Sequence, residues 1–305
     1  MRVLVPLLGL ACSPEPEVET DPSVSIELRW IQGHEEDSWT RAEAGLWWSL
    51  SQLGARPDVE RSAISVSHEG ATHVDFRLDL HRIDLSQSGL ETAREVVAEL
   101  AASDPYIHWG RADVGRFLMR LVYEPWRYYR ATGACAKLED WKLGRVEDTA
   151  PVFAITESML VEGHRRLRFS PDPGEMAGIA WLAEEGHGSL EDDSFEIEHV
   201  EVVDVMANGQ PRYALYDASG TLIPAPADAS SPIGQPGRCM WCHEQHLMST
   251  VEQPELDGSI SWTEFAAQID TQQSLIDAFR ADDTTATDFS EHEVHAWSEQ
   301  LVETF

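Results

Sequence analysis

The sequence predicts an α+β fold in which an antiparallel β-rich region precedes a short cysteine motif at residues 239–243. Helices are expected in the N-terminal half and at the C-terminus. Two patterns support this. Apolar residues recur at helical spacing in several segments before residue 148 and again after residue 260. Between residues 149 and 223 they follow the alternation typical of strands. We therefore expect a mixed α/β region at 24–148 and a β-rich region with closing helices at 149–305.

The N-terminal region alternates between strand and helix patterns. The predicted elements are a strand at 24–30, a helix at 39–53 capped by Asp37-Ser38, strands at 64–67 and 73–80, and helices at 90–102 and 113–132. Pro125 interrupts the last of these, and proline in a helix interior removes a backbone hydrogen bond. We therefore expect that helix to kink or split at Pro125.

The C-terminal region reads first as strands and then as helices. Strands are predicted as a pair within 158–169, at 179–183, and at 195–206 and 212–216. Asn208-Gly209 separates the last two, and this dipeptide suits the tight turn of a β-hairpin. A loop rich in Pro, Ala and Ser at 224–237 then leads to the cysteine motif. Two helices, at 262–280 and 291–305, are expected to close the fold.

The composition restricts the partners of the chain. Acidic residues outnumber basic ones by 54 to 22, which gives a formal charge of −32. Binding to nucleic acid is excluded, because affinity for phosphates requires clusters of Lys and Arg. Charge-driven binding to an anionic lipid surface is excluded for the same reason. An acidic surface serves solubility in general, and it also suits docking of a basic redox partner.

The N-terminus reads as an export signal over residues 1–12. One positive charge at Arg2 is followed by a short apolar run that ends in Leu8-Gly9-Leu10-Ala11-Cys12. The run is too short to span a bilayer, and it fits a secretory signal. Its end resembles the lipobox of bacterial lipoproteins, although the favoured leucine stands one place further from the cysteine than usual. The resemblance implies that Cys12 is lipidated and becomes the mature N-terminus.

A tether follows the proposed anchor. Residues 13–23 are rich in Pro and acidic side chains and have no means of packing into a core. Ser13 in the second mature position implies, by the same resemblance, attachment to the outer membrane on its periplasmic side. The alternative interpretation of residues 1–12 is an ordinary apolar strand.

The motif Cys239-Met240-Trp241-Cys242-His243 has the spacing for covalent attachment of haem. Two cysteines form thioether bonds to the haem vinyl groups, and the adjacent histidine becomes an axial ligand of the iron. Four cysteines and twelve histidines in 305 residues produce this pattern by chance in about two of a thousand such chains. The motif resembles that of c-type cytochromes, which implies one haem c on Cys239 and Cys242, with His243 as iron ligand.

The remaining cysteine leaves alternatives open. With Cys12 assigned to lipid and Cys239 and Cys242 to haem, Cys135 is left over. A disulfide between Cys239 and Cys242, or from Cys135 to one of them, would replace the haem. A zinc site is a further alternative, since Cys239 and Cys242 with His292 and His295 form a Cys₂His₂ set. The cysteine pair and the histidine pair are separated by about fifty residues, which is longer than the spacing in compact zinc modules.

The sixth ligand of the iron is open. Common small cytochromes c carry a Met well downstream of an early motif, but here the motif is late and Met248 is the last methionine. His246 and Met248 lie so close to His243 that on a helix they share its side of the haem. Either His292 or His295 completes a bis-histidine site, or the position is open. A β-rich body before a late motif resembles cytochrome c′-beta, which implies an antiparallel sheet and binding of small gases or oxidation of small nitrogen compounds.

The sequence thus predicts an exported, lipid-anchored c-type cytochrome for electron transfer. The alternatives are a five-coordinate haem enzyme or gas-binding protein, and a haem-free interaction lipoprotein. Carboxylates stand beside histidines in Glu162-Gly163-His164 and Glu184-Glu185-Gly186-His187, and Asp140-Trp141-Lys142 is a third isolated charged group. We interpret these three groups as turn and surface residues rather than as metal or proton-transfer sites.

Overall fold

The computed structural model describes residues 25–32, 38–55, 63–69, 73–156, 163–190, 194–226, 236–243, 247, 252, 256 and 259–282, with backbone alone at 69, 238, 241, 242 and 282. It confirms the α+β class, with a four-stranded sheet, a five-stranded sheet and helices around them.

The four-stranded sheet belongs to the N-terminal region. It contains β1 (Ser25–Ile31), β2 (Ile64–Glu69), β3 (His73–Asp79) and β4 (Ala112–Asp113), in the order β2-β3-β1-β4. β3 pairs antiparallel with both β1 and β2, whereas β4 pairs parallel with β1. The three strands predicted here are confirmed. β4 has only two residues, too few for an alternating pattern.

The helices of this region follow the predicted caps and breaks. α1 is Trp39–Ser51, α2 is Gln87–Ala101, α4 is Val114–Leu121 and α5 is Pro125–Thr132. Ser38 caps α1 by accepting a hydrogen bond from the Arg41 backbone N–H. The predicted helix at 113–132 is split, with Pro125 beginning α5. α3 (Asp104–Trp109) and α6 (Leu138–Lys142) were not predicted, because elements this short carry no clear periodicity.

The five-stranded sheet is an antiparallel meander. It contains β5 (Val152–Ile155), β6 (His164–Phe169), β7 (Ala180–His187), β8 (Glu196–Val205) and β9 (Pro211–Asp217), in chain order. The predicted hairpin around Asn208-Gly209 is confirmed, and Gly209 takes the positive φ of 81° that the turn needs. The strand pair predicted within 158–169 is shifted, because the partner of β6 is β5; residues 157–162 lie outside the described part.

Two helices follow the sheet. α7 is Pro236–Cys242, so the last two residues of the predicted loop already belong to a helix. α8 is Trp262–Asp282, which confirms the helix predicted at 262–280. The helix predicted at 291–305 lies outside the described residues. Among the helices that the structure describes, none combines the length and apolar character that a membrane span requires.

Each face of the five-stranded sheet packs against a different partner. One buried cluster joins the four-stranded sheet and helices α1, α2, α4 and α5 to Leu182, Val202 and Tyr216 of the meander. A second cluster packs α8 against the other face through stacked aromatic rings, with Phe153 and Phe265 centroids 4.0 Å apart. A continuous core thus crosses from the region before residue 148 to the region after it.

Candidate functional site

The cysteine motif lies on α7 and on the residue that follows it. The backbone N–H of His243 donates to the carbonyl oxygen of Cys239 over 2.9 Å, so the helical turn extends through His243. Positions 239, 242 and 243 therefore have the i, i+3 and i+4 spacing that places residues on one helix face. Cys239 and His243 are both half-buried, and Cys239 is in the thiol form.

α7 is held against α5 and β9 by tight packing. Met240 is completely buried in the main core. Gly237 lies directly on the ring of Tyr123, where a Cβ atom would come within 2.4 Å of the Tyr123 Cδ1 atom. A larger residue at 237 would force the ring or the helix to move. The glycine and the buried methionine thus fix where the motif meets the body of the protein.

Tyr213 of β9 contacts the end of the motif. Its hydroxyl donates a hydrogen bond of 2.8 Å to the backbone carbonyl oxygen of His243. The rings of the two residues lie 6.2 Å apart between centroids, at an angle of 38°. Since Tyr213 is itself buried in a strand, this bond ties the position of His243 to the sheet.

Two tyrosines of α5 cover the open edge of β9 next to α7. The Tyr128 hydroxyl accepts a hydrogen bond from the backbone N–H of Tyr213, and the Tyr129 hydroxyl accepts one from Leu215. Tyr129 in turn donates to the carbonyl oxygen of Ile223. Burial raises the pKa of both phenols, and the nearby Cys239 thiol contributes to the rise. The backbone N–H groups at this edge of the sheet thus have hydrogen-bond partners. Cys239 lies within electrostatic range of both tyrosine rings.

A buried ionic cluster lies near the motif on the α8 side of the sheet. Arg165 of β6 forms ion pairs with Glu185 of β7 and with Glu201 of β8, the latter at 3.0 Å. Burial alone would lower the pKa of Arg165, but Glu201, Glu185 and Cys239 raise it above its ordinary value. This interaction places the guanidinium within electrostatic range of the Cys239 thiol.

Glu185 is the most deeply buried carboxyl of this cluster, with 1% of the residue exposed. Burial raises its pKa to about 8 although Arg165 lowers it, and the charge of Glu201 adds to the rise. Burial likewise lowers the pKa of His199, which lies opposite Glu185 in the sheet. Burial and the charge of Glu201 thus hold the pKa of Glu185 above its ordinary value.

The interpretation of Glu184-Glu185 as turn and surface residues is wrong. Both lie in the middle of the sheet, and Glu184 pairs with Arg166 at 3.0 Å. Strand β6 carries Arg165 and Arg166 directly opposite Glu185 and Glu184, and this sequence signal was overlooked. Glutamates and arginines of matching spacing on neighbouring strands satisfy each other's charge, so their burial is tolerated.

The remaining residues of the three groups are divided between surface and core. His187 is exposed and lies 3.3 Å from Glu198, as a surface residue would. His164 begins β6, where its Nδ1 atom lies 2.8 Å from the Thr156 carbonyl oxygen. Trp141 is buried, and its indole N–H donates to Asp204 over 3.1 Å, so the surface interpretation is wrong for this residue. Within the described residues no group of three His, Cys, Asp or Glu is arranged to hold a metal ion.

The state of Cys135 differs from the expectation. It is disulfide-bonded and buried, not left over, and its carbonyl oxygen accepts a hydrogen bond from the Tyr216 hydroxyl. The side chains of Cys12 and Cys242 lie outside the described part of the chain, as do His246, Met248, His292 and His295. The lipidation site, the second haem cysteine and both candidates for a second axial ligand therefore remain predictions.

Comparison with known proteins identifies no relative. No protein-family model, no curated protein and no solved structure matches the chain. The function must therefore be argued from the site itself.

Proposed function

We propose that the protein is an exported, lipid-anchored c-type cytochrome that carries one haem and transfers electrons. Cys239 and Cys242 would bind the haem through thioether bonds, and His243 would be an axial ligand of the iron. The observation that carries the proposal is the single helical turn joining the Cys239 carbonyl to the His243 N–H. It places the first cysteine and the histidine of the motif on one side of α7.

The described residues fit such a group. Cys239 and His243 are half-buried, so neither residue is fully enclosed, while α7 is held by the core. When bound, the haem would supply one-electron chemistry at its iron. Tyr213 would act as a positioning residue, because its hydrogen bond restrains the backbone of His243. Arg165 would add a buried positive charge near the attachment site.

The remaining features of the proposal come from the sequence. Lipidation of Cys12 would anchor the protein to a bacterial membrane on the periplasmic side, as the lipobox resemblance implies for the outer membrane. The formal charge of −32 favours a basic redox partner, because opposite charges accelerate protein association. Nucleic acid is not among the proposed partners.

The proposal is tested by producing the full chain in a bacterial host that attaches haem c. The pyridine haemochrome spectrum should show c-type bands, and the intact mass should include one haem. Cys239→Ser and Cys242→Ser should reduce covalent haem, and His243→Ala should abolish normal axial ligation. His187→Ala removes an exposed histidine of the sheet and serves as the matched control. Wild-type protein without haem from a competent host would overturn the proposal.

The occupancy of the sixth position is decided on the same haem protein. Carbon monoxide added to reduced protein should leave the spectrum unchanged if His292 or His295 ligates the iron. A clear shift would favour the alternative of a five-coordinate haem that binds gases or acts as an enzyme. His292→Ala and His295→Ala variants then identify the ligand, since only the ligating residue should open the site.

The disulfide of Cys135 supports a second candidate function, a haem-free lipoprotein that serves interaction. Covalent haem attachment requires both Cys239 and Cys242 as thiols. If Cys242 is the partner of Cys135, that disulfide has to be reduced before haem can be attached. The variant Cys135→Ser separates the two candidates. If the protein is a cytochrome, the variant should contain as much haem as the wild type or more. If the protein is haem-free, neither the wild type nor the variant should contain haem.

A further inference from the structure

Helix α3 exposes two large apolar side chains. Ile107 is 71% exposed and Trp109 is 67% exposed. The neighbouring Tyr106 is half-buried and packs against the main core, so it attaches the helix to the rest of the protein. The helix ends at Gly110, whose positive φ of 69° allows the chain to turn sharply into β4. Two large apolar side chains exposed within three residues of one short helix are more than the scattered single apolar residues of an ordinary surface.

The topology places this helix beside the point where the N-terminal tether enters the fold. β1 and β4 are parallel neighbours, with Leu28 opposite Ala112. Ser25 begins β1 three residues before Leu28, and Trp109 ends α3 three residues before Ala112. Because parallel strands begin at the same end of a sheet, α3 and the start of β1 lie at one end of the four-stranded sheet.

The surface at this end does not share the acidic excess of the whole chain. Glu27 is paired with Arg77 at 3.1 Å, and Asp79, which lies opposite Ser25, is 3.6 Å from Arg82. The Arg77 guanidinium also donates to the Ser25 hydroxyl. The acidic side chains of β1 and β3 here are matched by arginines, and α3 itself carries one exposed acidic residue, Asp104. An uncharged or zwitterionic surface is not repelled by this arrangement.

We propose that Ile107 and Trp109 dock into the headgroup region of the bilayer that holds the lipid anchor. The inference rests on lipidation of Cys12, which belongs to the proposed function. Twelve residues separate Cys12 from Ser25, and such a segment spans at most about 40 Å when fully extended. The anchor therefore keeps this end of the sheet near the membrane, where Trp favours the boundary between headgroups and acyl chains.

The test uses the full-length chain, lipidated in a bacterial host and reconstituted into phosphatidylcholine vesicles with or without brominated acyl chains. Bromine quenches tryptophans that reach the bilayer. Trp109→Phe should remove most of the quenching seen in the wild type. Trp39→Phe is the matched control, since Trp39 is 37% exposed and makes an edge-to-face contact with His68 at the opposite end of the same sheet. It should leave the quenching unchanged.

Flotation of the vesicles separates this inference from the function on which it rests. Both the anchor and the docking surface are supported by the following set of results. The wild type floats, the Cys12→Ser variant does not float, and the Trp109→Phe variant floats but loses the quenching. If the wild type floats but Trp109→Phe is quenched as strongly as the wild type, the docking surface is wrong and the anchor stands. If the wild type does not float, both are wrong, while the haem content measured on the same sample still reports on the cytochrome.

Discussion

The Tyr213 hydroxyl and the His243 carbonyl oxygen, thirty residues apart in sequence, are joined by a hydrogen bond of 2.8 Å. This bond links the last hairpin of the meander, β8–β9, to the last residue of the cysteine motif. It is the most direct restraint that the described structure shows on the candidate iron ligand.

Tyr213→Phe should lower the free energy of unfolding by about 1 kcal/mol, because one hydrogen bond is lost while the ring packing is kept. Denaturation in urea measures this change. In the haem protein the same variant should shift the midpoint potential, because the backbone of the axial histidine is released. Tyr216→Phe is the control: it removes a buried hydroxyl bond to Cys135 of similar length. It should lower stability without shifting the potential, and an equal shift in both variants would contradict a positioning role for Tyr213.

Gly237→Ala should destabilise the protein by about 1–3 kcal/mol, as overpacking of a core does. The added Cβ would come within 2.4 Å of the Tyr123 ring. The loss should shrink when Tyr123 is replaced by Leu, because the ring is then absent. A double-mutant cycle from thermal or urea unfolding measures this coupling. Additive effects of the two substitutions would show that Gly237 and Tyr123 do not contact.

Glu185 should make stability fall as the pH rises. Its pKa is about 8 in the folded protein, against an ordinary value of 4.5. The folded state therefore binds more protons than the unfolded chain between these values. Removing protons by raising the pH therefore destabilises the folded state more than the unfolded chain. The free energy of unfolding should drop by up to about 1.4 kcal/mol per pH unit from pH 4.5 to 8.

Glu185→Gln should flatten this dependence, because the amide mimics the protonated acid at every pH. Urea unfolding at several pH values between 5 and 9 measures the slope. Glu198→Gln, on the exposed part of the neighbouring strand, controls for the loss of one carboxylate. A slope that survives in Glu185→Gln would assign the effect to another group.

Protein made in a host that attaches no haem should show two kinds of cysteine. Alkylation under denaturing conditions without reductant should modify Cys239, which is a thiol, and leave Cys135 unmodified, because it is in a disulfide. Mass spectrometry of non-reduced peptides then identifies the partner of Cys135. Modification of Cys135 before reduction would contradict the disulfide. Cys135→Ser should cost about 2–5 kcal/mol of stability.

Much of the fold follows from local chemistry. Ser38 caps a helix, Pro125 begins one after splitting the predicted segment, and Asn208-Gly209 turns a hairpin, as their side chains and backbone preferences predict. The short elements α3 and α6 were missed because a helix of five or six residues has too few positions to show a period. These are held by neighbours instead, α3 by Tyr106 in the core and α6 by buried Trp141.

The candidate site depended more on distant contacts. Arg165 and Glu185 are twenty residues apart, and only the pairing of β6 with β7 shows that they meet in the interior. In the sequence alone, Glu184 and Glu185 stand beside Gly186 and His187, and this local pattern suggested a turn. The disulfide of Cys135 was missed for a similar reason, since cysteine spacing alone does not report which sulfurs meet.

The sequence by itself determined the α+β class, the boundaries of most long elements and the motif that suggests haem, because these depend on residue type and spacing within a few turns or strands. Tertiary structure alone decided that α7 rests on Tyr123, that Tyr213 holds His243, and that Glu185 is buried against Arg165. It also decided that α3 lies beside the start of β1. These contacts join segments far apart in the chain, and their energy exists only once both sheets have formed and packed.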